Sequence, residues 1–280
     1  MIENTINPIL GYGLEPYKIG KGEYETLQDK QAKAIRDIFG MNRFVPNLCL
    51  LMDLGIIDIK YEIFKRKIMF YKNLLMNERN VRNNTNNKKV LLEEARKINN
   101  LWDNDIKNIM SIMQIKLSDF SMSEDWLKYQ MTERAKILME QDLNAKAYKV
   151  NDQKKLMINY IIDSKNETVK FNKPFTNQFK KDEIANLMEA RCGLFPCNEN
   201  FFHSKPHNKL HRRCRWCERY DCIENESHLF DKCKKSPIYK SIEPNNFKDL
   251  CFGDSIDPNK ILTSTMTRYK SVLKKRGEKT

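Results

Sequence analysis

The 280-residue chain reads as mainly α-helical, on three observations. Apolar residues recur three and four apart over most of its length, β-like patterning is confined to one short stretch, and glycine or proline stands where the helical periods stop. The expected architecture is a helical bundle, then a helical middle region, then a small Cys/His knuckle with a C-terminal helix, over residues 1–79, 80–180 and 181–280.

From Tyr24 to Phe39, the residues Leu27, Gln31, Ala34, Ile35 and Ile38 share one face at helical spacing, and Gly40 is placed to stop the helix. Pro46 marks a turn, the next apolar stretch is a short helix, and Gly55 is its C-cap. A longer helix should run from about Ile59 to Met76, with Ile59, Ile63, Phe64, Lys67, Phe70, Tyr71 and Leu74 in register, so that three helices pack together. Residues 80–87 (NVRNNTNN) have no apolar period and many turn formers, which places a boundary near residue 80. Helical periods return over 88–115 and 123–148, where Leu91, Leu92, Ala95, Ile98, Leu101, Trp102, Ile106, Ile109 and Ile112 are expected in a core. Between Lys155 and Phe171 the pattern fits either helix or strand. The stretch Asp182 to Cys192 is helical again, with acidic residues in its first turn and Gly193 just past its end. The C-terminal stretch should be an amphipathic helix with a basic tip at Lys270, Lys274, Lys275 and Arg276.

The most specific pattern is Cys214-x2-Cys217-x10-His228-x4-Cys233. Two cysteines three apart put both sulfurs on one tight turn, and His228 and Cys233 return on a following helical turn to complete a tetrahedron. Four protein ligands leave no open position, so one zinc ion held there is structural and activates no water. The sequence therefore predicts a closed CCHC zinc knuckle. Cys222 and the histidines His203, His207 and His211 are alternative ligands, and unrelated core thiols are the other account of the cysteines. Cys49, Cys192, Cys197 and Cys251 read as core or satellite thiols.

Fifty Lys and Arg against 37 Asp and Glu give a formal charge of +13, a field that attracts polyanions, of which nucleic acid is the expected one. Ten basic and five acidic residues fall between His203 and Lys240, so the knuckle carries about +5 of that charge. Arg212, Arg213, Arg215, Arg219, Lys234 and Lys235 are candidate phosphate contacts. Trp216 can stack on a base or pack against the knuckle's own turn. No run of about 18 apolar residues is present, and the N-terminus lacks the basic-then-apolar layout of a signal peptide. An intracellular protein, nuclear or cytoplasmic and not bound to membrane, is expected.

Two regions resemble the C-terminal part of non-LTR (LINE-type) retrotransposon reverse transcriptases. In residues 11–76 the YG start, the LQDKQAKAIRDIFG core, the Pro46-Asn47 pair and the Leu54-Gly55 pair before a basic helix are similar to that family's thumb segment. In residues 184–233 a helix ending in Arg191-Cys192-Gly193, the Cys214/Cys217 pair and the ENESHLFDKC stretch resemble its zinc-binding region. Together they cover a little under half the chain, in the family's order. The resemblance implies the same ligand set, Cys214, Cys217, His228 and Cys233. Two departures are the ten residues between Cys217 and His228, which leave Cys222 as a rival ligand, and Cys192 before the common glycine.

A polymerase needs paired metal-binding carboxylates, yet the chain has no Asp-Asp dipeptide, and Asp53 and Asp58 read as surface or capping carboxylates. None of the nine prolines precedes an aspartate, the mark of the nuclease found in some relatives. The expectation is thus a binding protein with no catalytic residues. The resemblance implies that thumb-like helices and knuckle grip template RNA or target DNA within a retrotransposon ribonucleoprotein. A domesticated or degenerate fragment serving as a structural protein in a larger assembly is the alternative.

Overall fold

The structure is a computed structural model that describes residues 2–80, 100–147, 180–192, 194, 213–217, 222–225, 228–239 and 256–275. Its regular elements are α1 (Ile2–Gly11), α2 (Lys21–Phe39), α3 (Asn47–Asp53), α4 (Ile59–Asn80), α5 (Asn100–Met113), a 3-10 turn (Leu117–Ser121), α6 (Glu124–Ala147), α7 (Lys181–Arg191) and α8 (Ile256–Lys275). The mainly α expectation holds: among the described residues the β pairing is one isolated bridge, between Arg213 and Ile223. No described helix is long and apolar enough to cross a membrane. The expectations for 88–99 and 155–171 lie outside the described residues.

The chain forms two compact units, residues 1–35, 47–145 and 170–172 in one, and 36–46, 146–169 and 173–280 in the other. The division therefore does not coincide with the expected boundary near residue 80, because α5 packs on α4. Trp102 of α5 lies edge-on to Phe70 and Tyr71 of α4, with ring centroids 6.2 and 5.9 Å apart. Lys67 of α4 is fully buried and pairs with Asp105 of α5 at 2.8 Å. A lysine at a core register position is tolerated because its ammonium keeps a carboxylate partner.

Local chemistry sets the elements of this first unit. Gly40 and Gly55 end α2 and α3 with φ of +67°, a conformation that costs residues with a Cβ. Asp58 caps α4, its Oδ1 accepting from the Lys60 amide at 2.8 Å and its Oδ2 from Gln28 Nε2 at 2.6 Å. The buried face of α2 differs from the expected one: Tyr24, Gln31, Ala32 and Ile35 are buried, whereas Ile38 is exposed. Gln31, on the expected face, lies at the centre of the buried one. Fully buried, it donates to Asn7 Oδ1 (2.7 Å) and to the Ile57 carbonyl (3.0 Å), and accepts from the Ile59 amide (2.9 Å). One amide side chain so ties α1, α2 and the entry of α4 through groups that burial would otherwise leave unpaired. From α6, Tyr61 receives a carboxylate partner, donating to Asp142 at 2.7 Å, and Arg134 closes the end of α5 by donating to the Ile112 carbonyl at 3.1 Å.

In the second unit α7 packs against α8. Asn186 donates to Thr267 Oγ1 at 3.0 Å, and Lys270 donates to Asn186 Oδ1 and Glu189 Oε2, both at 2.8 Å. Glu189 also accepts from the Asn42 amide at 3.1 Å. Lys270, expected in a basic tip, is thus tied down inside the unit, whereas Lys274 and Lys275 are exposed. Leu187, Leu262, Met266, Tyr269 and Leu273 form a core that continues through Leu229, Phe230 and Ile238 to Cys214 and Cys233.

Candidate metal centre

Each ligand sits where short-range hydrogen bonding puts it. The Cys214 amide donates to the Cys222 carbonyl at 3.0 Å beside the Arg213–Ile223 bridge, so the chain leaves and re-enters the knuckle as a narrow antiparallel pair. The tight turn from Cys214 to Cys217 aims the amides of Trp216 and Cys217 at the Cys214 sulfur. A second turn repeats this arrangement: the amides of Lys235 and Ser236 point at the Cys233 sulfur. Ser236, fully buried, stands where the second cysteine of a Cys-x2-Cys pair would be, and its amide also donates to the Cys233 carbonyl at 2.8 Å. Amides aimed at sulfur favour the thiolate, the form that binds metal.

His228 and Cys233 are joined by a π turn over His228–Lys232, in which the Cys233 amide donates to the His228 carbonyl at 2.7 Å. Five residues of α-helix advance about 500°, leaving first and last side chains about 140° apart. Closure to the fifth residue widens the turn and brings the last side chain back toward the first. The x4 spacing is met by this turn, a tighter specification than the ordinary helical turn the sequence suggests. Asn225 caps it, its Oδ1 accepting from the His228 amide at 2.8 Å.

The four side chains converge, their ligand atoms all within 4.8 Å of one another. Cys214 and Cys233 sulfurs lie 3.6 Å apart, and Cys217 Sγ lies 3.4 Å from His228 Nε2. An ion bound tetrahedrally with metal–sulfur bonds of about 2.3 Å and metal–nitrogen bonds of about 2.0 to 2.1 Å sets these edges near 3.8 and 3.6 Å, so the residues fit one metal ion. Burial pushes the Cys214 thiol up to about 12, with Cys233 adding to the shift against the pull of the two amides. Burial likewise raises Cys233. Two sulfurs in contact in a dry site are stable as thiolates only with a cation between them.

Cys214 and Cys233 belong to the buried core, and Cys217, partly buried, packs against it. Cys222 lies outside the converging set and packs on the core, serving the centre through its carbonyl. His203, His207 and His211, like Arg212 and Arg219, are outside the described residues.

The expected nucleic-acid contacts fall in different places. Lys234 and Lys235 are exposed. Arg213 is half-buried at the bridge. Arg215 is held within the module: its amide donates to Glu224 Oε2 at 2.8 Å, and its guanidinium grips the same carboxylate at 2.8 to 3.0 Å. Glu224 is fully buried, so this arginine is the countercharge that burial demands. Trp216 takes the packing alternative, its Nε1 donating to Tyr269 Oη at 3.3 Å and its ring 5.9 Å from that of Tyr269. Sequence reasoning missed Glu224, Asn225 and Ser236. Only Asn225 carried a local signal, an Asx residue three before His228 at the start of a turn.

No protein-family model, curated protein or solved structure matches this chain.

Proposed function

We propose that this chain is a nucleic-acid-binding region of non-LTR retrotransposon reverse-transcriptase origin, whose C-terminal module is folded around one structural zinc ion and grips RNA or DNA through phosphate contacts. The observation that supports it most is the convergence of Cys214, Cys217, His228 and Cys233 within 4.8 Å of one another, with Lys234 and Lys235 exposed beside Cys233. Zinc, when bound, supplies charge neutralisation and a cross-link between the two turns, and three thiolates with one imidazole suit its softness and geometry. Cys214 and Cys233 anchor it to the core, Cys217 and His228 complete the set, and Asn225 and the sulfur-directed amides hold the ligands in place. The lysines neutralise phosphates without reading base edges, so affinity is high at low salt and weakly dependent on sequence.

The test is fluorescence-anisotropy binding of the zinc-loaded chain to structured RNA, single-stranded DNA and duplex DNA across a salt series, with metal content measured in parallel. Expected are a log–log salt slope of several units and one zinc per chain, both lost in Cys214→Ser/Cys217→Ser. Negligible binding near physiological salt by the folded, metal-loaded protein would defeat the reading.

A second reading, a domesticated scaffold within an assembly, is favoured by Arg215 and Trp216, two expected contacts that the module uses internally. Zinc-dependent folding with no retention on polyanions would select it.

A further inference from the structure

The cations of the second unit divide into two groups. Arg215 and Lys270 are tied to the buried or half-buried carboxylates Glu224 and Glu189. Lys234, Lys235, Arg268 and Lys275 are exposed. Arg268 stands on the lip of a groove of about 480 Å³ between α8 and the turn that follows Cys233, lined by Pro237, Ile238, Thr265, Ser271 and Val272. None of the residues lining this groove is acidic.

Arg268 is the cation among the groove's lining residues, and the exposed Lys234 and Lys235 stand three and two positions before the lining residue Pro237. Arg268, Val272 and Lys275 recur at i, i+4 and i+7 on one stripe of α8, about a third of a turn from the stripe of Leu262, Met266, Tyr269 and Leu273 that enters the core. The opposite wall belongs to the metal centre. Lys235 and Ser236 aim their amides at the Cys233 sulfur, the Ile238 amide donates to Ser236 Oγ at 3.1 Å, and Ile238 is buried beneath Pro237 in the sequence of that turn. The ligand turn therefore sets where Lys234, Lys235 and Pro237 stand.

From this juxtaposition we infer that the groove between the Cys233–Ile238 turn and α8 is the binding track for a single strand of nucleic acid, an inference that rests on the nucleic-acid reading above. Arg268, Lys234 and Lys235 hold successive phosphates, and Pro237 and Val272 face the sugars. The lining offers no exposed aromatic platform for stacking, since Tyr269 is buried against Trp216, so recognition is through the phosphodiester backbone. A groove of this volume admits a nucleotide-sized group at a time, the scale of a single strand and not of a duplex.

The full zinc-loaded chain is titrated with fluorescein-labelled 12-mer single-stranded RNA, the matching single-stranded DNA and its duplex, across a salt series. Variants are Arg268→Ala, Arg268→Lys, Lys234→Ala/Lys235→Ala and, as a control of equal charge loss to the lysine pair, Lys107→Ala/Lys116→Ala in the first unit. Expected for Arg268→Ala is a loss of about three- to tenfold on both single strands, with the salt slope falling by about 0.7. The lysine pair should lose more, Arg268→Lys should recover part of the loss, and the Lys107→Ala/Lys116→Ala control should stay close to wild type. Zinc content checks each variant, and photo-crosslinking of the wild-type chain, with label expected in 232–239 and 265–275, gives an answer that needs no variant. If wild type binds and the groove variants match the control, if the crosslinks fall elsewhere, or if the duplex binds best, the groove assignment is overturned while the nucleic-acid reading stands. If wild type binds no nucleic acid, both fall together.

Discussion

The two units of this protein solve the same problem, closing a core around polar groups, by different means. In the first, Gln31, Asp58 and the Lys67–Asp105 pair are embedded among apolar side chains from α1 to α6, and each finds its partner within the fold. In the second, the core ends on Cys214, Cys217, His228 and Cys233, which could hold a metal ion. Both units thus pair a buried charge, Lys67 with Asp105 and Glu224 with Arg215, and the second adds a cluster in which a metal ion could cross-link two turns.

The largest expected effect breaks the second unit alone. Structural zinc contributes about 10 to 16 kcal/mol in small modules, so chelation or Cys214→Ser/Cys217→Ser should abolish hydrogen-exchange protection over 213–239 and weaken it in α8. Protection in α4 and α6 should be unchanged. Retained protection at 213–239 would mean that the core closes without metal, and the contrast drawn here would fail.

Next in size are two buried ion pairs among the described residues, one in each unit. Asp105→Ala strands the Lys67 ammonium and Arg215→Ala strands the Glu224 carboxylate, each at a cost of about 3 to 5 kcal/mol in urea unfolding. Lys67→Met/Asp105→Leu should recover most of the first loss. Arg215→Ala should also loosen the metal, read as faster zinc transfer to a chelator, because its amide and side chain hold the strand beside Cys214. Smaller again is Gln31→Leu, which leaves the Ile59 amide unpaired and costs about 1 to 3 kcal/mol for each buried group so exposed.

The smallest effect sharpens the comparison through pH. Burial raises the Asp58 carboxyl above its ordinary value, against the hydrogen bonds from Lys60 and Gln28 that lower it. The folded state therefore holds that proton more tightly than the unfolded state. Its contribution to stability is fully present below the unfolded pKa and is lost as pH rises through the folded one. The metal centre runs the other way, since protons compete for the thiolates and the imidazole and the ion is lost as pH falls. In a pH series of unfolding midpoints, Asp58→Asn should flatten the first unit's dependence and leave the second unit's acid loss in place. An unchanged first-unit profile would show that Asp58 is not its source.

Much of the candidate site was legible before any coordinates. Thiol and imidazole at short separations admit few geometries, so the ligand set of Cys214, Cys217, His228 and Cys233 was readable from spacing. The ends of α2 and α3 were readable too, because Gly40 and Gly55 supply a backbone conformation that other residues reach only with strain. The buried face of α2 was legible in part: Gln31 and Ile35 lie on it as their spacing indicates, whereas Tyr24 and Ala32 also enter it and Ile38 is exposed, because packing partners far along the chain set its edges. Likewise, composition counted Arg215, Lys270 and Lys235 as equal charges, and only contacts separate the tied ones from the exposed one.

Residue type and separations of a few positions along the chain were enough for the helical class, the stops of α2 and α3 and the grouping of Cys214, Cys217, His228 and Cys233. Tertiary structure decided the edges of the buried face of α2, that α5 joins α4, that a π turn serves the His228–Cys233 spacing, and which cations remain exposed. Those outcomes depend on partners far apart in sequence, such as Gln31 with Asn7, Lys67 with Asp105 and Trp216 with Tyr269, whose meeting is set by packing and the need to pair every buried polar group.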